Sequence, residues 1–433
     1  MKRIACGLGL ILTILASFAS AQGGEVDSGD TSWILTATAL VLMMTLPGLS
    51  LFYAGMVRQV NVLSIFMQCF IIACAITILW VIIGYSLTFG SSGLAIAGGS
   101  VIGNFENFLM GQVVEDTVSG SIPTSVFAMF QLTFAIITPA LIIGGFAERM
   151  RFASMLLFSL FWSLLVYMPI AHWVWGGGWL GDLGFKDFAG GAVVHITAGV
   201  AAITAAIYMG NRKDFQEAMH IPHNLPFCAI GAGLLWVGWF GFNGGSALAA
   251  NGDAGMALAA THISAATGAF TWMMAEWIRF GKPTLLGALT GMVAGLGTIT
   301  PASGFVGPAG ALVIGLLAGY ICFEATNLIK RKLKIDDSLD VFSVHGVGGF
   351  LGCILTGIFA SSALGVFSGQ EDISIGSQLG TQAIGAFATL IWTAAVTLLI
   401  LFVIDRILGL RVDEVEEAEG LDLEEHNERG YSW

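Results

Sequence analysis

Two histidines lie in stretches apolar enough to cross a bilayer. His195 falls within the run from Asp187 to Tyr208, Asp-Phe-Ala-Gly-Gly-Ala-Val-Val-His at its start, and His345 within Asp340-Val-Phe-Ser-Val-His-Gly-Val-Gly-Gly349. An ionisable side chain inside a membrane is costly, and by default it points to function. Imidazole can both donate and accept a hydrogen bond and can change charge near neutral pH, which suits a polar pathway or a proton relay. Two histidines are too few for a metal centre. Cys353, the other soft ligand in these stretches, lies about two helical turns beyond His345. No Ser-His-Asp or zinc-protease pattern accompanies the pair, which argues against an intramembrane enzyme. A structural hydrogen bond to a neighbouring helix explains either histidine alone equally well. One in each half of the chain favours the pathway.

Aromatic residues form a second constellation. Phe130 and Phe134 share one helix face at i and i+4, His172-Trp-Val-Trp175-Gly-Gly-Gly178 falls where a span ends, and Trp239-Phe-Gly-Phe242-Asn-Gly-Gly-Ser246 lies late in another. Aromatic faces attract cations, more strongly when desolvated. An interfacial aromatic belt accounts for most of the tryptophans.

The elements that position these residues follow from composition. The chain has 433 residues, 56% hydrophobic and 11% charged, and a mean hydropathy of +0.83. A soluble globule carries roughly 25% charged residues. An all-α polytopic membrane protein is expected, because only helices satisfy the backbone across so many apolar runs and no short alternating strands suggest a barrel. Eleven transmembrane helices are predicted near 33–57, 62–87, 122–146, 152–174, 188–210, 225–249, 256–280, 284–301, 307–329, 341–366 and 379–408. Residues 1–21 read as a signal peptide: Lys2 and Arg3, an apolar core, and Ala19-Ser-Ala21 as cleavage site. The membrane domain is then 22–408, followed by an acidic tail over 409–433.

Of the 17 Lys and Arg, two lie in the leader, fourteen fall in every second connection or the tail, and only Lys186 falls on the other side. The positive-inside rule puts the mature N-terminus outside and the C-terminus in the cytoplasm, as an odd number of spans requires. Gly48–Gly55 parallels Gly238–Gly245, and Asp187…His195 parallels Asp340…His345 with different spacing. Two inverted five-helix repeats plus a final helix would explain both, and such repeats place a site at their interface near the midplane. Single cysteines in apolar stretches read as buried thiols, with no zinc spacing. A net charge of −12 gives no footprint for nucleic acid.

The chain resembles the ammonium transporters of the Amt/MEP group, relatives of the Rh proteins. The resemblance runs through Asp187–His195, Pro222-His-Asn-Leu-Pro226, Gly238–Ser246, Asp336-Asp-Ser-Leu-Asp-Val-Phe-Ser-Val-His-Gly346 and the tail from Gly409 to Asp422, covering nearly the whole mature chain. Trp175 favours the Amt over the Rh branch; the short link Arg58-Gln-Val-Asn61 is less typical. The resemblance implies an outer ammonium site of Phe130, Trp175 and Ser246, a gate of Phe134 and Phe242, and pore histidines His195 and His345. Asp187 would support the outer site. It implies no cofactor, ammonium or methylammonium as substrate, a homotrimer, and a trimeric PII-type signal protein that docks at the cytoplasmic face of a bacterial inner membrane.

Ammonium differs from potassium in its directional N–H donors and a removable proton. An isolated ammonium costs on the order of tens of kcal/mol to bury on Born estimates, so a dry pore favours ammonia. Expected is recruitment of the cation, deprotonation, conduction of ammonia past the histidines and separate proton transfer with net charge movement. The alternatives are an ammonium sensor acting through the tail and a neutral Rh-like gas channel.

Overall fold

Apolar runs of this length have no water to hydrogen-bond their backbones, so helices close every N–H and C=O internally. The structure, a computed structural model, describes residues 25–96, 98–213, 215, 221–367 and 369–431. The expected leader over 1–21 lies outside the described residues. Among those described, nine helices are long and apolar enough to span a membrane: α1 Ser28–Met56, α2 Gln59–Phe89, α3 Thr124–Gly145, α4 Phe152–Asp182, α5 Gly191–Met209, α6 Leu225–Gly244, α9 Pro308–Lys332, α10 Phe342–Phe359 and α11 Ile375–Ile407. Two more complete the predicted eleven. One is the long α7, Gly252–Phe280, whose centre carries Thr261, His262 and Ser264. The other is α8, Leu285–Ile299, about 22 Å long at 1.5 Å per residue. Between α2 and α3, β1 Ser92–Ile96 pairs antiparallel with β2 Gly99–Gly103, and β3 Val118–Ser119 with β4 Ile122–Pro123.

Glycine lets the two halves meet. A Cβ on Gly199 of α5 would lie 2.1 Å from the Gly346 nitrogen of α10, and one on Gly349 would lie 2.7 Å from the His195 Cβ. The same device joins α1 to α6: a Cβ on Gly231 would lie 2.3 Å from the Phe52 nitrogen. Small residues at such crossings allow backbone contact that larger ones forbid.

The repeat is clearer in three dimensions than in the sequence. Both α5 and α10 open on a π turn that carries a histidine, Gly191–Ile196 and Phe342–Gly346. Each turn follows a buried aspartate that accepts from its first N–H groups. In the second half that aspartate is Asp337, whose Oδ2 accepts from the Phe342 nitrogen at 2.7 Å. The pairing of Asp187 with Asp340 is therefore corrected to Asp337, and the spacing becomes eight residues in both halves (195 − 187 and 345 − 337). Asp340 turns away to pair with Lys330 Nζ at 2.9 Å.

One end of the bundle is tied by buried charge. Glu148, in the α3–α4 link, takes Arg58 Nε at 3.1 Å, Asn61 Nδ2 at 2.7 Å and the Arg212 guanidinium. Arg212 also holds Asp336 through Nε and Nη2, both at 2.8 Å, and Arg149 lies 3.7 Å from the same carboxylate. The less typical link Arg58–Asn61 thus supplies two partners to this network. Four connections, α1–α2, α3–α4, α5–α6 and α9–α10, meet here.

The acidic tail docks on this end. Asp422 accepts from the Leu63 and Ser64 nitrogens at 3.0 and 2.7 Å, capping α2. Arg411 pairs with Glu417 at 2.8 Å, and Leu410, Val412 and Leu421 are buried.

Burial pushes the Asp336 carboxyl up, but hydrogen bonds to Arg212 and the charges of Arg212 and Arg149 outweigh it and hold it at about 2. Because the folded value is depressed, its contribution is present above the ordinary 3.8 and is lost as pH falls through about 2. Arg212→Ala leaves two buried carboxylates underpaired and is expected to cost about 3–5 kcal/mol. Denaturation of the detergent-solubilised variant measures this; an unchanged midpoint would contradict the network's role.

Candidate functional site

The site begins at the N-terminus of α5. A helix start leaves N–H groups without partners, and negative charge is favoured there. Asp187 supplies both needs. Its Oδ1 accepts from Gly190 and Gly191 nitrogens at 2.9 and 2.6 Å, and its Oδ2 from Ala192 and Val193 at 2.8 and 3.2 Å. Gly190 makes this wrap possible with φ 115°, a conformation that suits glycine. Burial pushes the Asp187 carboxyl up from its ordinary value, and the four N–H bonds oppose the rise. With both oxygens engaged by backbone, Asp187 has a positioning geometry. Its own carbonyl accepts from Trp175 Nε1 at 2.9 Å, so the same residue orients the indole.

Eight residues on, His195 meets His345. Their Nδ1 atoms are 3.1 Å apart and the rings stack with centroids at 5.1 Å. The hydrogen-bond network around them assigns the protons. Thr300 Oγ1 donates to the Leu296 carbonyl at 2.8 Å and accepts from Trp239 Nε1 at 3.0 Å. Since its hydrogen is engaged, it is an acceptor toward His195 Nε2 at 3.3 Å, and His195 carries its proton on Nε2. His195 Nδ1 must then accept, so His345 Nδ1–H donates to it. His345 Nε2 is left as an acceptor. A pair of neutral rings satisfies every bond in this network.

Above the pair, Phe134 and Phe242 pack tilted by 38° with centroids at 4.3 Å, and Phe242 lies 6.2 Å from the His195 ring. Phe242 sits on a further π turn, Phe240–Gly244. Beyond these rings opens a cavity of about 180 Å³ lined by Phe89, Phe127, Gln131, Phe134, Trp175 and Ser246 among others. Phe134 meets Trp175 edge-on at 5.9 Å. The Ser246 hydroxyl donates to the Phe242 carbonyl at 2.8 Å, which leaves its oxygen lone pairs to accept. An aromatic wall plus an acceptor oxygen is a cradle for a cation that carries N–H donors. Phe130 is placed differently from its fellow candidates. Its ring is fully buried behind Phe134, edge-on at 5.0 Å, and is not among the residues that line this cavity.

Below the rings lies a cavity of only about 10 Å³, lined by His195, His345, Trp239, Phe242, Tyr53 and Leu141 among others. That is room for about one water-sized molecule. The structure therefore brings together Trp175, Ser246, Phe134, Phe242, His195 and His345 along one path, with Asp187 beside it. Residues not singled out as site candidates also belong to it: Thr300 and Trp239 fix the tautomer, and Tyr53, Phe127 and Gln131 line the two chambers. Thr300 bonds a histidine 105 residues away, and threonines are common in membrane helices, so its local sequence carried no signal.

The chain matches the model of the Ammonium Transporter Family over residues 32–431. It is 44% identical over 428 residues to an ammonium transporter of Aquifex aeolicus, covering 98% of each chain. Its structure is similar to that of Saccharomyces cerevisiae Mep2, with a TM-score of 0.83 and 37% identity over 92% of this chain and 90% of that one. A structure described as a Sensor Amt Protein is similar at a TM-score of 0.84 and 30% identity, covering 92% and 98%.

Asp187→Ala strips four N–H groups of their acceptor and is expected to cost more than the loss of one ordinary N-cap, about 1 kcal/mol. Asp187→Asn keeps one acceptor oxygen and should fall between that variant and the parent. Melting temperatures in detergent rank the three, and equal values would show that the α5 start does not depend on this carboxylate.

Proposed function

This chain belongs to the ammonium transporter family, and on that premise we propose how its site moves ammonium across the membrane. Ammonium settles in the outer cavity, its charge against Trp175 and its N–H donors toward the Ser246 oxygen, with Phe130 backing Phe134. Phe134 and Phe242 separate this chamber from the one beneath. The cation loses its proton at this passage, and ammonia proceeds along the histidines. The observation that carries the reading is the chamber of about 10 Å³ beneath the paired rings. It is too small for a hydrated ion, and the polar groups among its lining residues are imidazole, phenol and indole, with no carboxylate. A bare cation there would meet no compensating charge, whereas ammonia finds an acceptor at His345 Nε2. Potassium has no proton to give up and is excluded at the rings.

The proton crosses by a separate route, so uptake moves net charge. The tail-bearing end faces the cytoplasm, in keeping with fourteen cations on that side against one. The first 21 residues act as a cleaved leader of a protein of the bacterial inner membrane. The chain assembles as a homotrimer, and residues 409–433 form the regulatory tail on which a PII-type signal protein acts. Ammonium sensing is the second reading, favoured by the docking of the tail on the α1–α2, α3–α4 and α5–α6 links.

In proteoliposomes the protein is expected to take up labelled methylammonium, with ammonium competing, and to give an ammonium-evoked current on a solid-supported membrane. Uptake without current would favour the neutral channel. His195→Asp, which puts a carboxylate in the small chamber, should abolish selective ammonium flux or admit potassium; selective flux at the parent rate would remove His195 from the path. Removal of residues 410–433 should abolish recovery of a PII-type protein in a membrane pull-down, and equal recovery would count against the tail as its docking site.

A further inference from the structure

The two aspartates that cap the histidine-bearing helices are related by the repeat but are not used alike. Asp187 engages both oxygens with four backbone N–H groups. Asp337 is fully buried, accepts at Oδ2 from the Phe342 N–H at 2.7 Å, and has no hydrogen-bond partner for Oδ1 among the described residues. Two residues before His345, the buried Ser343 hydroxyl likewise has no partner among the described residues. Buried polar atoms in native proteins have a partner, from protein or from water. A buried carboxylate oxygen without a hydrogen bond is therefore a place for a proton or for a water that brings one.

We infer that Asp337 accepts, on the cytoplasmic side of the pore, the proton that ammonium gives up, and passes it to the mouth formed by Asp340 and Lys330. This inference rests on the proposed electrogenic mechanism and assigns the exit of its proton. The balance is simple. Ammonium loses H⁺ and leaves ammonia, the Asp337 carboxylate becomes a carboxylic acid, and release of H⁺ to cytoplasmic water restores it.

The surroundings fit both steps. On the pore side, Tyr53 lines the small chamber together with His345 and lies within electrostatic reach of Asp337 and Asp340. Its ring and the Val341 side chain pack against Gly144 from two sides: a Cβ there would lie 3.0 Å from the ring and 2.6 Å from Val341 Cγ2. That places a phenol beside the start of α10. Its hydroxyl donates to the Leu141 carbonyl at 3.1 Å and keeps lone pairs with which to accept, as a relay group needs. On the exit side, Lys330 Nζ holds Asp340 at 2.9 Å, and both side chains are partly exposed. Charged groups face Asp337 from several elements: Asp340 on its own link, Lys330 at the end of α9, and Arg149 from the α3–α4 link. Burial first, and then the charge of Asp340, push the Asp337 carboxyl up to about 7 against the opposing charge of Lys330. A carboxyl poised there can both load and unload near neutral pH.

The test separates a proton acceptor from a helix cap. Asp337→Asn keeps an oxygen for the Phe342 N–H but cannot carry the proton, and Asp337→Glu restores an acid. Ammonium-evoked currents are recorded from the full-length protein in proteoliposomes while the pH on the tail side is varied. The parent current is expected to fall as that pH drops through about 7, because a protonated acceptor cannot load. Asp337→Asn should lose about tenfold or more of the current at unchanged melting temperature, and Asp337→Glu should regain a pH-dependent current. A parent-like current and pH profile in Asp337→Asn would overturn the assignment while leaving the transport mechanism standing. A parent protein that takes up methylammonium with no current would overturn the electrogenic reading and this inference together. If the Asn variant does not fold, a parent current indifferent to tail-side pH around 7 overturns the assignment by itself.

Discussion

Two buried carboxylates fix the depth of two histidines. Each opens a helix in the middle of the protein, where exposed N–H groups have no water to turn to. Asp187 and Asp337 satisfy those groups, and each stands eight residues before its histidine. Because the helices run in opposite directions and touch at Gly199 and Gly346, equal spacing brings the rings to one level, with Nδ1 atoms 3.1 Å apart. A shift of one residue in either cap would turn one imidazole about 100° around its helix and break the pair.

The pair then imposes its own demands. Facing Nδ1 atoms require one donor and one acceptor, and Thr300 settles which is which from behind His195. Trp239 shares that hydroxyl and stacks on His195 at 5.4 Å, so the wall of the chamber and the tautomer are fixed by one contact. The rings above continue the stack through Phe242 to Phe134. At the other end of the bundle, the Glu148–Arg212–Asp336 network joins the links that begin α4, α6 and α10. Asp336 and Asp337 are neighbours in sequence, so the network that receives the tail also anchors the cap beneath His345.

Much of this was legible before any coordinates. Apolar runs give the helices, and two histidines in such runs are the pair that meets at Nδ1; the direction that cation asymmetry suggests remains part of the proposal. The repeat was visible only in part, since Asp340 looked like the counterpart of Asp187 while the matching cap, Asp337, stood hidden in an acidic cluster of Asp336, Asp337 and Asp340. Only hydrogen bonds distinguish those three: one binds Arg212, one caps α10, one binds Lys330. The resemblance implies a regulatory tail, but nothing local shows that Asp422 caps α2 across a separation of 358 residues. Phe130 illustrates the opposite difficulty. Its i, i+4 relation to Phe134 is right, but a shared face does not decide which ring reaches the cavity and which supports it from behind.

In the proposed mechanism, selectivity comes from the contrast between the two chambers. The outer one, about 180 Å³ with aromatic walls and a serine oxygen, can hold a cation that keeps part of its water. The inner one, about 10 Å³, cannot, and its polar atoms suit a small neutral molecule that both donates and accepts. A charged group in the inner wall would relieve the penalty for the cation and, with it, the proposed discrimination against potassium. The absence of carboxylate from that lining is therefore as much a part of the design as the histidines. Both acids nearby, Asp187 and Asp337, lie instead at helix ends outside that lining, and of the two only Asp337 is proposed to meet the proton.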